Sequence, residues 1–460
     1  MKTIFAFAAA AAGVAVFAGG AAYAQQAPAP APGGQPQGPG QASPVVAPGL
    51  ESSGVGHDQP LRTESNFARD RNVSVRERPR PDYEAPGIRA GGFLVFPRVT
   101  ASLAYDDNIY ATDTNKVSAG IGEIVPEVAI RSQWSRNELS AFARAAITRY
   151  FNHSSENTED YAVGAAGRLD LLRASNLYAS GSFVSAHEPR TSPTAPTAAS
   201  SPIHYDQWQA TFGGVHEMNR LRLSGRVNYN DFRYDNATTV AGDPLLQNFR
   251  NRNVWTETGR AEYAVSPDTA LYVSAQFNQR NYHLHPPTVP FDKNSSGYDV
   301  AVGANFDLTR VIRGEVQVGY MSQGYRSSAF KDINGVSVRA AVDWFPTEIT
   351  TVNLSASRTI EEAAIENASG YLATSGGLRV DHELLRNVLL SARGGYEYDE
   401  YRGIDRNDKR PSAGVSATYL LNRKIGLTVA YDYLKLTSSG VDKVPNYSDN
   451  RVTGSLTLQF

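Results

Sequence analysis

The sequence predicts an all-β protein, a transmembrane antiparallel up-and-down β-barrel of about 18 strands. Three observations lead there. Segments of about ten residues alternate apolar and polar side chains, which puts one greasy and one wet face on each strand. Tight turns alternate with longer polar loops along residues 92–460. Beyond the N-terminal residues, no stretch approaches the roughly 18 consecutive apolar residues of a membrane helix. The mean hydropathy of -0.37 fits a barrel, whose alternation hides its membrane face in the average.

Residues 1–24 read as a secretory signal peptide. Lys2 gives the charged start, 4–17 the apolar run, and Ala22-Tyr23-Ala24 the small-x-small cleavage site. The chain is thus expected to leave the cytoplasm. Residues 25–50 are rich in Pro, Gly, Gln and Ala and read as a flexible or polyproline-like linker. Residues 51–91 are polar, with the charged run Arg76 to Arg80, and show no period. Together 25–91 read as a flexible periplasmic segment, and a plug or docking strand is the alternative for 51–91. The barrel is expected over 92–460.

Within it the tight turns are Ser135-Arg136-Asn137, Arg173 to Asn176, Asn219-Arg220, Ser266 to Thr269, Arg310 to Ile312, Pro346 to Glu348, Leu385 to Asn387 and Asn422 to Lys424. Asn, Asp, Ser and Pro tolerate or preset turn dihedrals. Loops such as 188–205, 235–252 and 284–296 lie between them. In a barrel of this asymmetry the short turns are periplasmic, and an even strand count brings both termini to that side.

Individual strands keep the period. Leu271, Val273, Ala275 and Phe277 oppose Tyr272, Ser274, Gln276, Asn278 and Arg280. Leu390, Ala392, Gly394, Tyr396 and Tyr398 oppose Ser391, Arg393, Glu397 and Asp399. The last strand sets Val452, Leu456, Leu458 and Phe460 against Arg451, Thr453, Ser455, Thr457 and Gln459. Glu257 and Arg358 disturb the alternation. A soluble sandwich would bury the inward charges at several kcal/mol per ion; a wide, hydrated lumen would not. Trp134 and Trp344 beside turns, Trp208 and Trp255 toward loops, and the C-terminal Phe460 are the expected aromatic girdle. A terminal aromatic also resembles the sorting signal of bacterial outer-membrane barrels, which implies the barrel-assembly machinery and outer-membrane lipid as partners.

Little points to chemistry. Cysteine is absent, which excludes disulfides and thiolate metal sites. A net charge of -2 favours no nucleic-acid partner. His283 and His285 have no acidic companions in sequence, so they read as loop surface rather than metal ligands. Asp106-Asp107-Asn108 offers oxygens to a hard cation but lacks the further spaced acids of a calcium loop, and reads as an Asx turn. No Gly-x-Ser-x-Gly elbow or phosphate loop is present. The expectation is no enzyme, no cofactor and no metal. What remains is the inward charge: Arg144, Arg222, Arg226, Arg260, Arg280 and Arg393 with Asp299, Glu315, Glu397 and Asp399 are the candidate lumen lining, joined by Glu262 and Asp307. They either keep the lumen wet or make a polar track for a hydrophilic solute.

The stretches 97–115, 277–282, 306–325, 344–362, 381–410 and 419–439, among them DHELLRNVLLSARGGYEYDEYRGIDRNDKR and YLLNRKIGLTVAYDYLKLTSS, resemble the β-barrel porins of Gram-negative outer membranes. The resemblance covers 92–460. It implies an outer-membrane location and passage of hydrophilic solutes. Some members resemble barrels encoded with exopolysaccharide secretion machinery, which implies polymer export with periplasmic polysaccharide-export proteins as a second possibility. A plugged structural or surface-binding barrel is a third.

Overall fold

In the computed structural model residues 73–460 are described, except 173, 309–310 and 366–367. The expected signal peptide 1–24, the linker 25–50 and residues 51–72 lie outside the described residues. Among those described, eighteen antiparallel strands close into a barrel: β1 (Phe93–Asp106), β2 (Ala119–Ser132), β3 (Glu138–Tyr150), β4 (Thr158–Leu172), β5 (Ser175–His187), β6 (His204–Met218), β7 (Leu221–Tyr234), β8 (Arg252–Ser266), β9 (Thr269–Tyr282), β10 (Ser295–Leu308), β11 (Ile312–Tyr325), β12 (Ile333–Thr347), β13 (Thr350–Glu362), β14 (Gly370–Leu385), β15 (Val388–Arg402), β16 (Asn407–Leu420), β17 (Ile425–Ser439) and β18 (Tyr447–Gln459). Each pairs with its chain neighbours, and β18 returns to β1 from Arg98↔Gln459 to Asp106↔Arg451.

All eight expected turns join strands at one end, the turn end. Asn137 and Asn219 take positive φ there, at 63° and 56°, a conformation asparagine tolerates. The opposite, loop end carries the long connections 188–203 and 235–251.

The outward face is apolar where lipid would touch it. Leu103 is 67% exposed and Val429 61%. Each such side chain would gain roughly 1.5–3 kcal/mol from leaving water. Trp134, Trp344 and Phe460 are exposed at the turn end, Trp208 and Trp255 at the loop end. Trp208 packs on Phe183 at 4.4 Å and Trp255 on Tyr229 at 4.7 Å between ring centroids, so the rings form rows rather than single anchors. Glu257 also faces outward, level with Val227 and Phe277. Arg358 pairs with the outward Val338.

The closing seam has one more strand. Because β18 ends beside Arg98, the start of β1 would be left with a bare edge. The short strand Ile88–Ala90 covers it by pairing Ile88↔Val95 through Ala90↔Phe93. The intervening turn has Gly91 at φ 59°.

Candidate functional site in the barrel lumen

All ten candidate lining residues project inward, because they share the parity opposite to the lipid-facing row. Seven of them lie in two fields, and Arg144, Arg222 and Arg226 stand apart on β3 and β7. In the first, on β8–β12, Arg260 donates to both oxygens of Glu315 (3.0 and 3.1 Å), pairs with Glu262 at 3.1 Å, and stacks on Tyr272 at 3.5 Å. The Tyr272 hydroxyl donates to Glu315 at 2.6 Å. Ser337 donates to Asp299 at 2.7 Å. Planar, bidentate arginine pairing fixes these groups in place. Arg222 approaches Glu217 at 3.5 Å, Arg226 is buried nearby on β7, and Arg144 on β3 stands opposite Glu127.

The second field lies on β13–β18. Arg410 bridges Glu397 and Asp399, and Arg393 pairs with Asp432. Between them the wall is thin. Ser355, Gly377, Gly395 and Ser412 stand directly opposite one another across four strands. Their small side chains leave a cavity of about 100 Å³, also lined by Arg379, Arg393, Glu397, Arg410 and Asp432. A β-carbon at Gly377 or Gly395 would come within 2.7 Å of a serine hydroxyl, so the hollow depends on glycine.

The lining is not polar throughout. Val125, Ala146, Ala162, Val184 and Ala186 form an inward apolar cluster on β2–β5. The inward wall therefore carries charged fields and one apolar patch.

Both ends are narrowed. At the loop end the β13–β14 tip bends into the lumen. Ile360 and Leu372 keep the parity of the lipid face, yet they pack on the inward Met321 and Ile333. Glu362, next in that row, receives hydrogen bonds from Arg280 and Tyr282. The Lys293 ammonium donates to the Ala363 carbonyl at 2.8 Å, and the Tyr325 hydroxyl donates to the Ser369 carbonyl at 2.7 Å. The tip is thus latched from β9, β11 and the loop before β10. Other loops also bind each other. Arg250 pairs with Glu188 and the partly buried Arg190 with Glu156, the other three side chains being buried. The Tyr447 hydroxyl of β18 donates to the Thr191 carbonyl of the 188–203 loop at 3.0 Å.

At the turn end residues 74–84, expected from sequence to belong to a flexible segment, are seated in the mouth. The Val75 N–H donates to Thr351 at 2.9 Å and the side chain is 1% exposed. Arg80 pairs with Glu383 at 2.9 Å, both side chains 3% exposed. Arg78 also reaches Glu383, Arg76 reaches Asp381, and Glu77 meets Arg313 at 2.7 Å. The Tyr83 carbonyl accepts from Gln459 on β18. These contacts reach from β11–β14 to β18.

Several of these participants escape a reading of strand alternation. Arg410 precedes Pro411, which interrupts the β16–β17 register. Glu362 carries the wrong parity. Arg80 and Glu383 are 303 residues apart. The charge run Arg76 to Arg80 was the only local signal.

Residues 80–460 match the model of the family described as "Putative beta-barrel porin 2". None of the curated proteins matches the chain. Among solved structures, it is similar to OccK3 (OpdO) of Pseudomonas aeruginosa, at 12% identity and TM-score 0.42, over 80% of this chain and 96% of that one. OpdK of the same organism with vanillate shows 12% identity and TM-score 0.43, over 80% and 99%. A mutant of its ferric enterobactin receptor PfeA shows 6% identity and TM-score 0.43, over 80% of each chain.

Proposed function

The chain belongs to this β-barrel porin family and is a porin-like outer-membrane channel, and we propose that it passes small hydrophilic solutes through a lumen constricted at both ends. The turn end is periplasmic in this reading, with both termini on that side. The observation that carries it is the glycine-floored hollow flanked by Arg393–Asp432 and Arg410–Glu397. Guanidinium and carboxylate pairs lie beside serine hydroxyls there. Such a wall offers donors and acceptors to a polar solute without strong affinity for one charge. Catalysis has no part in this function. The latched tip and the seated 74–84 segment favour small solutes over a polysaccharide chain, which would need both to move aside.

Single-channel recording of the mature chain in a planar bilayer tests the proposal. Discrete openings that small polar solutes block from either side are expected. A folded barrel that stays silent, alone and after deletion of 74–84, would overturn it in favour of a structural barrel. Openings admitting long oligosaccharides only in the presence of periplasmic export proteins would favour polymer export.

A further inference from the structure

We propose that Asp106, Asp107 and Asp449 form a site for one divalent cation, calcium by its ligand chemistry, where the barrel closes. Asp106 is the last residue of β1 and stands opposite Arg451 of β18. Asp449 precedes Arg451 by two, on the same inward face. One carboxylate oxygen from each of the three acids lies within 4.8 Å of those of the other two. Asp106 and Asp449 are 5% and 4% exposed. Three carboxylates against one arginine leave excess negative charge in a place with little water.

The loop holds two of the acids ready. Asp106 Oδ1 accepts the Asn108 N–H at 2.9 Å. Asp107 accepts the N–H and side-chain amide of Asn450 at 2.8 and 2.7 Å. Asp449 is different. Its Oδ1 is fully buried with no hydrogen-bond partner. A buried carboxylate oxygen left bare carries the full cost of its lost water. A cation among the three acids removes that cost. Calcium binds oxygens at about 2.3–2.6 Å in flexible geometry, so oxygens up to 4.8 Å apart fit on opposite sides of it. Magnesium demands near-octahedral geometry and keeps several of its waters, which a place this closed to solvent does not readily supply. The ion would clamp the first strand to the last beneath the 107–118 loop. The sequence alone shows only two of these acids together.

Calorimetric titration of the folded mature chain, stripped with chelator, tests the site with calcium chloride. One calcium per chain is expected, with magnesium weaker. Asp449→Asn should lower the calcium affinity by about tenfold or more, and so should Asp107→Asn, which leaves the buried wall intact if the first variant folds poorly. No calcium uptake by the wild-type chain, or equal uptake by Asp107→Asn and wild type, would overturn the proposal.

Discussion

Lys293 shows how much one buried side chain at the loop end carries. Its ammonium donates to the Ala363 carbonyl and lies 4.0 Å from Glu362. Burial pushes its pKa down from 10.5 to about 8, and Glu362 opposes that only in part. The unfolded chain keeps this proton up to about pH 10.5, whereas the folded chain releases it near pH 8. Between those values the unfolded state binds more protons, so stability rises with pH. The gain is roughly 3–3.5 kcal/mol across the whole window. Thermal unfolding in detergent should therefore show a midpoint that climbs from pH 8 to 10, and Lys293→Met should remove that climb. An unchanged slope in the variant would show the amine to be solvated. Residues of this kind are poorly legible in sequence: a lysine in a polar loop gives no sign that the β13–β14 tip lies over it. By contrast, the inward direction of Arg260, Arg393 or Glu397 follows from period two alone, because lipid on one face fixes the side on which charge can sit. Which acid each arginine meets does not follow, since register across strands decides it.

At the scale of elements, two segments narrow the lumen by different means. The 74–84 segment is held chiefly by charge, and Arg80 with Glu383 is its buried centre. Removing Arg80 costs the segment this pair and the hydrogen bonds of its guanidinium to the Val75 and Arg78 carbonyls, while Arg78 still neutralises Glu383, so the loss falls below the about 3–5 kcal/mol of a buried charge left wholly uncompensated. Arg80→Ala should therefore release the segment while the barrel stays folded. The expected result is larger mean conductance, close to that of a chain lacking 74–84, and faster proteolysis around Arg78. Unchanged conductance would mean that solutes pass beside the segment. The β13–β14 tip is held by the apolar contacts of Ile360 and Leu372 as well as by the Glu362 cluster. Glu362→Gln weakens only the second hold, so brief openings should become more frequent with little change in the main level. Alternation located these strands, but carried on to the tip it would set Ile360 and Leu372 on the lipid side, where they are not. Pairing of β12 with β13 stops at Val338↔Arg358, and the freed hairpin turns its apolar row inward to bury it. No period in the sequence records that bend.

The barrel as a whole distributes charge in pairs. Arg260 pairs with Glu262 of its own strand and with Glu315 of β11, Arg393 of β15 with Asp432 of β17, Arg410 of β16 with Glu397 and Asp399 of β15, and Arg280 of β9 with Glu362 of β13. Paired charges on a wall make a local transverse field and add little net potential along the axis. An ion entering the lumen meets both signs at each level and gains little from either. Cation and anion permeabilities should thus lie within about a few-fold of each other, unlike pores ringed by one sign. The reversal potential in a potassium chloride gradient measures this directly, and a value near zero is expected. Breaking one pair should then move it predictably: Asp432→Asn removes a negative charge beside the hollow and should shift selectivity toward anions, whereas Arg393→Gln removes a positive one and should shift it toward cations. Opposite shifts from the two partners would place the solute path along β14–β17. Two null shifts would place it against the apolar wall formed by Val125, Ala162 and Val184.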